Sequence, residues 1–452
     1  RDVAPTRRPS SLPPIMATIL GIDVGSSSVI AGILRGKTVL AESPRAFFKS
    51  RCDGPKVEVD PDELLRAVRV AVAGLKGLAK NVDAIHLAVM CPAWVVLDAK
   101  GNALTPIVTH QDRRSVAQAE DIEARFGKDA HLQACGCRPF PGGISSTTWA
   151  WFKQHEPQRL RRADLVGHLN TFLHRRLTGA RVIDPSNASF TGLYRTLTLD
   201  GWSDELCANL GVDKKLLPDV HDADRIGGRI TPEAARAFGL TAGTPMIVGL
   251  MDGSAGMILA GAKVGQLFNV TGSTDVLALC TDQPKPHERL LTRALGLDGK
   301  FLQVSTLAAV ASAIYWVRDQ MCPAMPIAEF QAEFRRLAKL GPKASGSVRF
   351  EPYMAGERTS IVQRQGAFTG LTLASTREQM LSAVVESLIR ASAERLPLLA
   401  ASGTPLLRNV AVSGGADRLD VILRRDWPGK WTYRAVTDAT MRGLAMLEPK
   451  EI

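Results

Sequence analysis

Two short turns rich in glycine and serine are the first candidates for chemistry in this sequence. Each follows an apolar segment, residues 18–23 in one case and 266–271 in the other. The two turns are Gly25-Ser26-Ser27 and Gly272-Ser273-Thr274. Glycine lets the backbone approach a ligand closely, and successive N–H groups with nearby hydroxyls form a nest for an anion. We therefore predict that both turns bind phosphate.

Two aspartates lie at the ends of predicted apolar strands, where a carboxylate can bind a metal ion or accept a proton. Asp23 lies two residues before Gly25, where it can hold Mg²⁺ or its waters beside a nucleotide. Asp252 lies just beyond the apolar segment 245–250, and the small residues after it leave room for the carboxylate to face a cleft. Such a group could accept the proton of an attacking alcohol. An N-cap of the following helix is the alternative role for Asp252.

A polar cluster occupies a predicted junction between a strand and a helix. Its members carry a carboxylate, an amide, a hydroxyl and two guanidinium groups, and they are Gln111, Asp112, Arg113, Arg114 and Ser115. These groups could bind several hydroxyls of a ligand; helix capping with solvated charge is the alternative. Histidine and cysteine are dispersed along the sequence, so we predict no metal site built from them.

The elements that must position these residues can be predicted from apolar periodicity. Residues 18–23, 29–34 and 39–42 indicate a β-meander, and further strands are predicted over 84–90, 245–250, 266–271, 276–280 and 409–412. Asp60 with Pro61 predicts the start of one helix, and Thr376 with Gln379 a capping box at the start of another. Between about residues 91 and 220 helices are predicted to dominate.

The two segments around the glycine–serine turns resemble each other. Both consist of an apolar strand, the turn and a second apolar strand, and more than half of the chain separates them. This weak internal repeat indicates two related domains, each with one hairpin for phosphate. Chance similarity of two short turns is the alternative.

Composition narrows the class of protein. A length of 452 residues fits two or three domains, and 45% hydrophobic with 22% charged residues excludes global disorder. No apolar run reaches the roughly 18 residues of a membrane span. The net charge is +11, but the basic residues are scattered, so we expect no nucleic-acid partner. Seven cysteines without a CxxC pair argue against a disulfide framework and favour a reducing, cytoplasmic location.

Residues 1–16 are rich in Arg, Pro and Ser and lack the apolar region of a secretory signal. We predict a disordered N-terminal extension upstream of a start at Met16; an organelle transit sequence is the alternative.

Taken together, the motifs resemble the FGGY family of carbohydrate kinases from about residue 18 to residue 447. The segments that carry the resemblance are GIDVGSS (21–27), HQDRRS (110–115), DPSNAS (184–189), AGTP (242–245), MDGSAG (251–256), GST (272–274), PYMAGERT (352–359), GAFTGL (366–371), SGGA (413–416) and DAT (438–440). Their order and spacing together are far more specific than any one of them.

The resemblance implies an α/β fold of two ribonuclease-H-like, actin-like ATPase domains flanking a cleft. A sugar-binding N-terminal domain would cover 17–245 and a nucleotide-binding C-terminal domain 246–452. It implies ATP and Mg²⁺ as cofactors, a sugar or polyol such as a ketose as substrate, and no membrane partner, and it leaves a homodimer open. By similarity, Asp252 is the catalytic base and Asp23 the carboxylate near Mg²⁺. The remaining implied contacts are Gly25, Ser26, Ser27, Gly272, Ser273 and Thr274 with phosphate, Gly414 and Gly415 with adenosine, and Met90, Cys91, His110, Asp112 and Arg113 with the substrate.

The sequence departs from xylulokinase-like members of the family at Met90-Cys91-Pro92, where those members carry Met-His-Gly. His110 stands where many members have Trp. Two alternatives to a kinase are a non-catalytic sugar- or nucleotide-binding sensor and an actin-like or chaperone-type ATPase without a small substrate.

Overall fold

The computed structural model describes residues 17–414 and 419–452. The predicted extension over residues 1–16 and the predicted adenosine contact Gly415 lie outside these ranges.

The strands of the described residues are, in chain order, β1 (Thr18–Val24), β2 (Ser28–Arg35), β3 (Thr38–Glu42), β4 (Ala46–Phe47), β5 (Ser50–Asp53), β6 (Lys56–Val59), β7 (Ala84–Val89), β8 (Ala93–Leu97), β9 (Ile107–Thr109), β10 (Leu165–Gly167), β11 (Val182–Ile183), β12 (Asp219–Val220), β13 (Ile226–Arg229), β14 (Pro245–Ile247), β15 (Leu250–Met251), β16 (Leu267–Thr271), β17 (Asp275–Thr281), β18 (Leu291–Ala294), β19 (Phe301–Leu307), β20 (Arg349–Glu351), β21 (Ala367–Thr369), β22 (Asn409–Gly414) and β23 (Thr432–Ala435).

The α-helices of the same residues are α1 (Pro61–Gly74), α2 (Val116–Phe126), α3 (Lys128–Cys135), α4 (Ser145–His155), α5 (Pro157–Leu160), α6 (Leu169–Leu177), α7 (Pro185–Ala188), α8 (Asp204–Leu210), α9 (Pro232–Phe238), α10 (Asp252–Ala260), α11 (Ala311–Met321), α12 (Ile327–Leu340), α13 (Arg377–Ala400), α14 (Leu419–Leu423) and α15 (Ala439–Leu444).

Two large sheets share one strand topology. In the first sheet β3, β2 and β1 form an antiparallel meander, and β7 and β14 continue it in parallel with β1. In the second sheet β19, β17 and β16 form the meander, and β22 and β23 continue it in parallel with β16. The shared order confirms the predicted internal repeat and the α/β fold of two ribonuclease-H-like domains.

Local signals set the ends of two helices as predicted. The side chain of Asp60 accepts the backbone N–H groups of Asp62 and Glu63 at the start of α1. Thr376 and Gln379 form a reciprocal capping box at the start of α13. Each interaction satisfies N–H groups that have no partner within the first turn of a helix.

Helices α10 and α15 pack between the two sheets and join them through a common apolar core. That core takes residues from both sheets, including Ile19 and Phe268, and from α15, including Leu444. The backbones of the two helices touch, because a Cβ atom on Gly443 would lie 2.0 Å from the carbonyl oxygen of Ala255. The two domains are therefore held together by a close helix pair.

Two expectations about strands need correction. The strand predicted over 245–250 is two short strands, β14 and β15, because Gly249 adopts a left-handed φ of +78° between them. Both pair with β7 in the first sheet, so the predicted domain boundary after residue 245 falls within β14. Between residues 91 and 220 helices are the more extensive elements, but β8, β9 and β10 belong to a five-stranded sheet with β5 and β6 that the sequence patterns missed.

No helix in residues 17–414 or 419–452 is both long and apolar enough to cross a membrane.

Candidate active site

Three parallel strands of the first sheet end at the same edge and bring predicted site residues together. Val24 of β1 pairs with Val89 of β7, and Val89 pairs with Met251 of β15. The residues that follow these strands are Gly25, Met90 and Asp252. Because the carboxyl ends of parallel strands meet at one edge, the predicted phosphate turn, the predicted substrate segment and the predicted base lie side by side.

Asp252 is a half-buried carboxylate at the first position of α10. Met251 occupies the N-cap position, so the alternative role of Asp252 as an N-cap is wrong. Its Oδ1 accepts the backbone N–H of Gly253 at 2.6 Å. Burial raises the pKa of Asp252, while that N–H group and the charges of Arg293 and Arg358 oppose the rise. Such a carboxylate is a stronger proton acceptor than an exposed one.

Asp23 lies close to Asp252. Burial first, and then the charge of Asp252, raise the pKa of Asp23 to about 7; Arg45 opposes this rise and Glu42 adds to it. Its Oδ1 atom is buried and has no hydrogen-bond partner among the described residues. The described residues of the chain contain no group of three or more His, Cys, Asp or Glu side chains that could hold a metal ion. An orphaned carboxylate oxygen fits Mg²⁺, which takes one or two protein carboxylates and completes its shell with phosphate and water.

The first glycine–serine turn closes by a bond from the N–H of Gly25 to the carbonyl oxygen of Ser28, at 3.0 Å. Ser26 and Ser27 are exposed. In the second turn the N–H of Gly272 donates to the carbonyl oxygen of Thr274 at 2.7 Å. Gly272 and Ser273 are exposed as well, so both turns offer hydroxyl groups to a ligand.

A buried polar network supports the second turn. Asp275, the residue after it, accepts hydrogen bonds from the side chains of Asn269 and Thr271 at 2.6 and 2.9 Å. Its other oxygen forms an ion pair with Arg395 of α13, and both side chains are almost fully buried. This network fixes the base of the hairpin to the longest helix of the C-terminal domain.

Gly414 lies next to the second turn. Strand β22 runs parallel to β16, and Gly414 pairs with Thr271 at the end of both strands. Gly414 has a φ of +80°, and a Cβ atom there would lie 2.1 Å from the carbonyl oxygen of Thr271. No other residue type can bring the two strand ends so close.

Cys91 faces both Asp252 and a buried polar chain. Its Sγ lies 3.6 Å from Nδ1 of His168, whose Nε2 lies 2.7 Å from Oγ of Ser145. Burial, and then the charge of Asp184, raise the pKa of Cys91 well above its usual value; Asp252 acts in the same direction and Arg293 opposes. Cys91 is therefore a neutral thiol beside the candidate base.

The polar cluster at residues 111–115 makes several of its side-chain contacts within the protein. Both carboxylate oxygens of Asp112 accept hydrogen bonds from Arg114, and one of them also accepts the N–H of Val57. Nη1 of Arg113 donates to three backbone carbonyl groups. Asp112 and Arg113 therefore use these groups to join the segment around His110 to Val57 and Pro141.

His110 differs from its neighbours, because its Nδ1 atom is buried without a partner among the described residues. Burial and the charges of Arg358 and Arg113 lower the pKa of His110 to about 3. The imidazole is therefore neutral at physiological pH and has an unused nitrogen within the site.

Three arginines whose charges act on Asp23 or Asp252 were not predicted from the sequence. Arg293 of β18 donates to Oγ of Ser254 at 2.6 Å and stands beside Gly253. Arg358 lies between β20 and β21, and Arg45 follows β3. Arg358 falls in a segment that carries the family resemblance; no local pattern distinguishes Arg293 or Arg45, which reach the site from distant parts of the chain.

Two sheets of the same topology, each with a glycine–serine hairpin at the carboxyl edge, define the actin-like ATPase class. The chain belongs to the FGGY family of carbohydrate kinases. Residues 18–258 match the N-terminal domain of that family and residues 267–425 match its C-terminal domain. The protein is accordingly an ATP-dependent carbohydrate kinase.

Relatives with three different names match most of the chain. A xylulose kinase from Escherichia coli is 26% identical over 88% of this chain and 82% of its own length. A gluconokinase from Bacillus subtilis is 24% identical, over 82% and 74%. A glycerol kinase from Thermococcus gammatolerans is 26% identical, over 90% and 83%. The solved xylulose kinase from Rhodospirillum rubrum superposes with a TM-score of 0.84 at 25% identity, covering 95% of this chain and 89% of the other.

Proposed function

We propose that this kinase transfers the γ-phosphoryl group of ATP to a hydroxyl group of an open-chain ketose or polyol, with Asp252 as the general base. The observation that carries the proposal is the position of Asp252. Its desolvated carboxylate begins α10 at the edge where the strands of Gly25 and Met90 also end.

The chemistry needs a proton acceptor next to the acceptor hydroxyl and donors around the phosphates. Asp252 would take the proton as the hydroxyl oxygen attacks phosphorus, and its raised pKa brings it nearer to the operating pH. The hairpins at Gly25 and Gly272 would hold the phosphate groups from opposite domains. Most of the catalysis of phosphoryl transfer comes from such positioning and charge neutralisation.

Asp23 is the residue that would hold Mg²⁺, together with phosphate oxygens and water. The ion would neutralise charge on the phosphate groups when bound. Without it, Asp23 and Asp252 are two neighbouring carboxylates that raise the free energy of each other's ionised form.

The relatives named xylulose kinase and glycerol kinase favour a ketose or a polyol, and those named gluconokinase favour the acid form of a polyol. They differ in their acceptor, so the choice depends on residues of this chain at the acceptor side. Cys91 and His110 are the two positions there that depart from the pattern of xylulokinase-like members.

The test is the release of ADP from ATP with and without an acceptor, over pentuloses, hexuloses, heptuloses, polyols and aldonates. A kinase gives release that one class of acceptor stimulates. Acceptor binding without stimulated release would indicate the sensor, and release indifferent to every acceptor would indicate an ATPase without a small substrate.

A further inference from the structure

Arg358 has donors that none of the described residues uses. The guanidinium group is half-buried and faces the candidate active site from the segment between β20 and β21. Within residues 17–414 and 419–452 it has no hydrogen-bond or ion-pair partner, although its charge acts on Asp252. Removing a guanidinium group from water without a partner costs several kcal/mol. An arrangement of this kind is suited to a ligand that brings the missing anion.

A second unused group lies beside it. The Nδ1 atom of His110 is buried without a partner, and the charges of Arg358 and Arg113 both act on this ring. A neutral imidazole can carry its proton on Nδ1 and donate it to an oxygen atom. Arg358 and His110 therefore place free donors at one side of Asp252.

That side is the acceptor side rather than the phosphate side. The charges that act on Asp23, next to the first phosphate hairpin, are those of Asp252, Arg45 and Glu42. The charges that act on His110 are those of Arg358 and Arg113. Asp252 thus interacts with Asp23, which is suited to Mg²⁺, and with Arg358, which is suited to an anion. The family resemblance implies that His110 contacts the substrate, so an anion bound by Arg358 and His110 belongs to the acceptor.

We infer that Arg358 and His110 bind a carboxylate of the acceptor, so that the preferred substrate is a polyhydroxy acid: an open-chain polyol or ketose that ends in a carboxylate. The planar fork of the guanidinium group matches the two oxygens of a carboxylate, whereas a hydroxyl group would leave the positive charge unneutralised. The hydroxyl that reaches Asp252 is the one phosphorylated. This inference rests on the proposed function and specifies its substrate class.

The first experiment uses the unmodified protein and matched acceptors. D-gluconate is compared with D-fructose and D-glucitol, and D-xylonate with D-xylulose and xylitol, by ADP release. We expect kcat/KM to be at least roughly 10- to 100-fold higher for the acid of each set, the range of a charge-assisted pair. A neutral ketose or polyol that serves as well as or better than its acid overturns the inference and leaves the proposed kinase reaction intact.

The second experiment compares R358Q and R358K with R364Q, a control on the same segment whose arginine already pairs with Glu351. We expect R358Q to raise KM for the acid roughly 10- to 100-fold, R358K to lie between R358Q and the unmodified protein, and R364Q to match the unmodified protein. KM for ATP should stay within about twofold. An equal loss of kcat for acidic and neutral acceptors would instead assign Arg358 to the phosphoryl group and overturn the inference.

Calorimetric titration with the acid alone separates this inference from the proposed function, because it needs no turnover. If R358Q weakens the binding of the acid by the same factor and no acceptor gives ADP release, the result supports the carboxylate site and refutes the transfer reaction. No measurable binding of either acid overturns the site. Thermal unfolding of each variant shows whether it is folded.

Discussion

Replacing Asp252 by Asn tests the central chemical role in the active site. The exchange keeps the shape of the side chain, and the amide oxygen can still accept the N–H of Gly253 that Oδ1 accepts at 2.6 Å. It removes the negative charge of the side chain and, with it, the capacity to take a proton. General bases contribute roughly 10²- to 10⁴-fold to rate, so we expect D252N to lower kcat by that factor. The affinity for ATP should change little, because the hairpins at Gly25 and Gly272 remain.

The same variant has an expected effect on stability, and its sign follows from the raised pKa of Asp252. A carboxyl group whose pKa is higher in the folded than in the unfolded state destabilises the fold once it is ionised. The free energy of unfolding therefore falls as pH rises above the ordinary value of 3.8. D252N avoids this loss, so it should unfold at a higher temperature than the unmodified protein at pH 7.5 and at a similar temperature near pH 3.

D222N is the matched control. Asp222 is half-buried and its pKa is also raised by burial, but the charges around it are Asp224, Arg225, Asp298 and Lys450, outside the active site. Both variants should gain stability at pH 7.5, and only D252N should lose acceptor-dependent ADP release. The assay is ADP release at saturating ATP with the best acceptor. A D252N enzyme that keeps more than about a tenth of the unmodified kcat would show that Asp252 is not the base.

Three further changes test the supports of the site. D23N should raise the Mg²⁺ concentration for half-maximal ADP release at least tenfold, since it replaces the carboxylate that carries the orphaned oxygen by a neutral amide; an unchanged Mg²⁺ dependence would contradict this role. G414A should lower the free energy of unfolding by more than about 2 kcal/mol, because a Cβ meets a carbonyl oxygen at 2.1 Å, whereas G54A, also at positive φ but in open space, should cost only about 1 kcal/mol. R395M should cost about 3–5 kcal/mol in chemical denaturation by leaving Asp275 charged and unpaired, and a loss below about 1 kcal/mol would refute a buried ion pair there.

The elements that sequence patterns predicted well are those with strong local signals. The first meander, the N-cap at Asp60 and the capping box at Thr376 depend on residues a few positions apart. Asp252 could be chosen because an apolar segment ends just before it. The proton-accepting role itself stays a prediction, since position alone does not test it.

The parts that were missed depend on contacts between distant residues. Arg293 reaches Ser254 from a strand 39 residues further along the chain. The five-stranded sheet is assembled from strands as short as three residues, which have too few side chains to show alternation. The polar cluster also illustrates the limit: its composition suggested contacts with a ligand, but Asp112 is bound to Arg114 and only the three-dimensional arrangement identifies His110 as the unused group.

The close pair of helices α10 and α15 has a consequence for how the two domains can move. Their backbones touch at Gly443 and Ala255, with no side chain between them to deform. Because this contact has little room to deform, we expect an opening of the cleft to rotate the two sheets about this helix pair. Asp252 is the first residue of α10 and lies in the same helix as Ala255, so we expect such a rotation to displace it less than the hairpin at Gly272. The proton acceptor would keep its place beside the acceptor hydroxyl throughout the swing, and only the phosphate donor would arrive and depart.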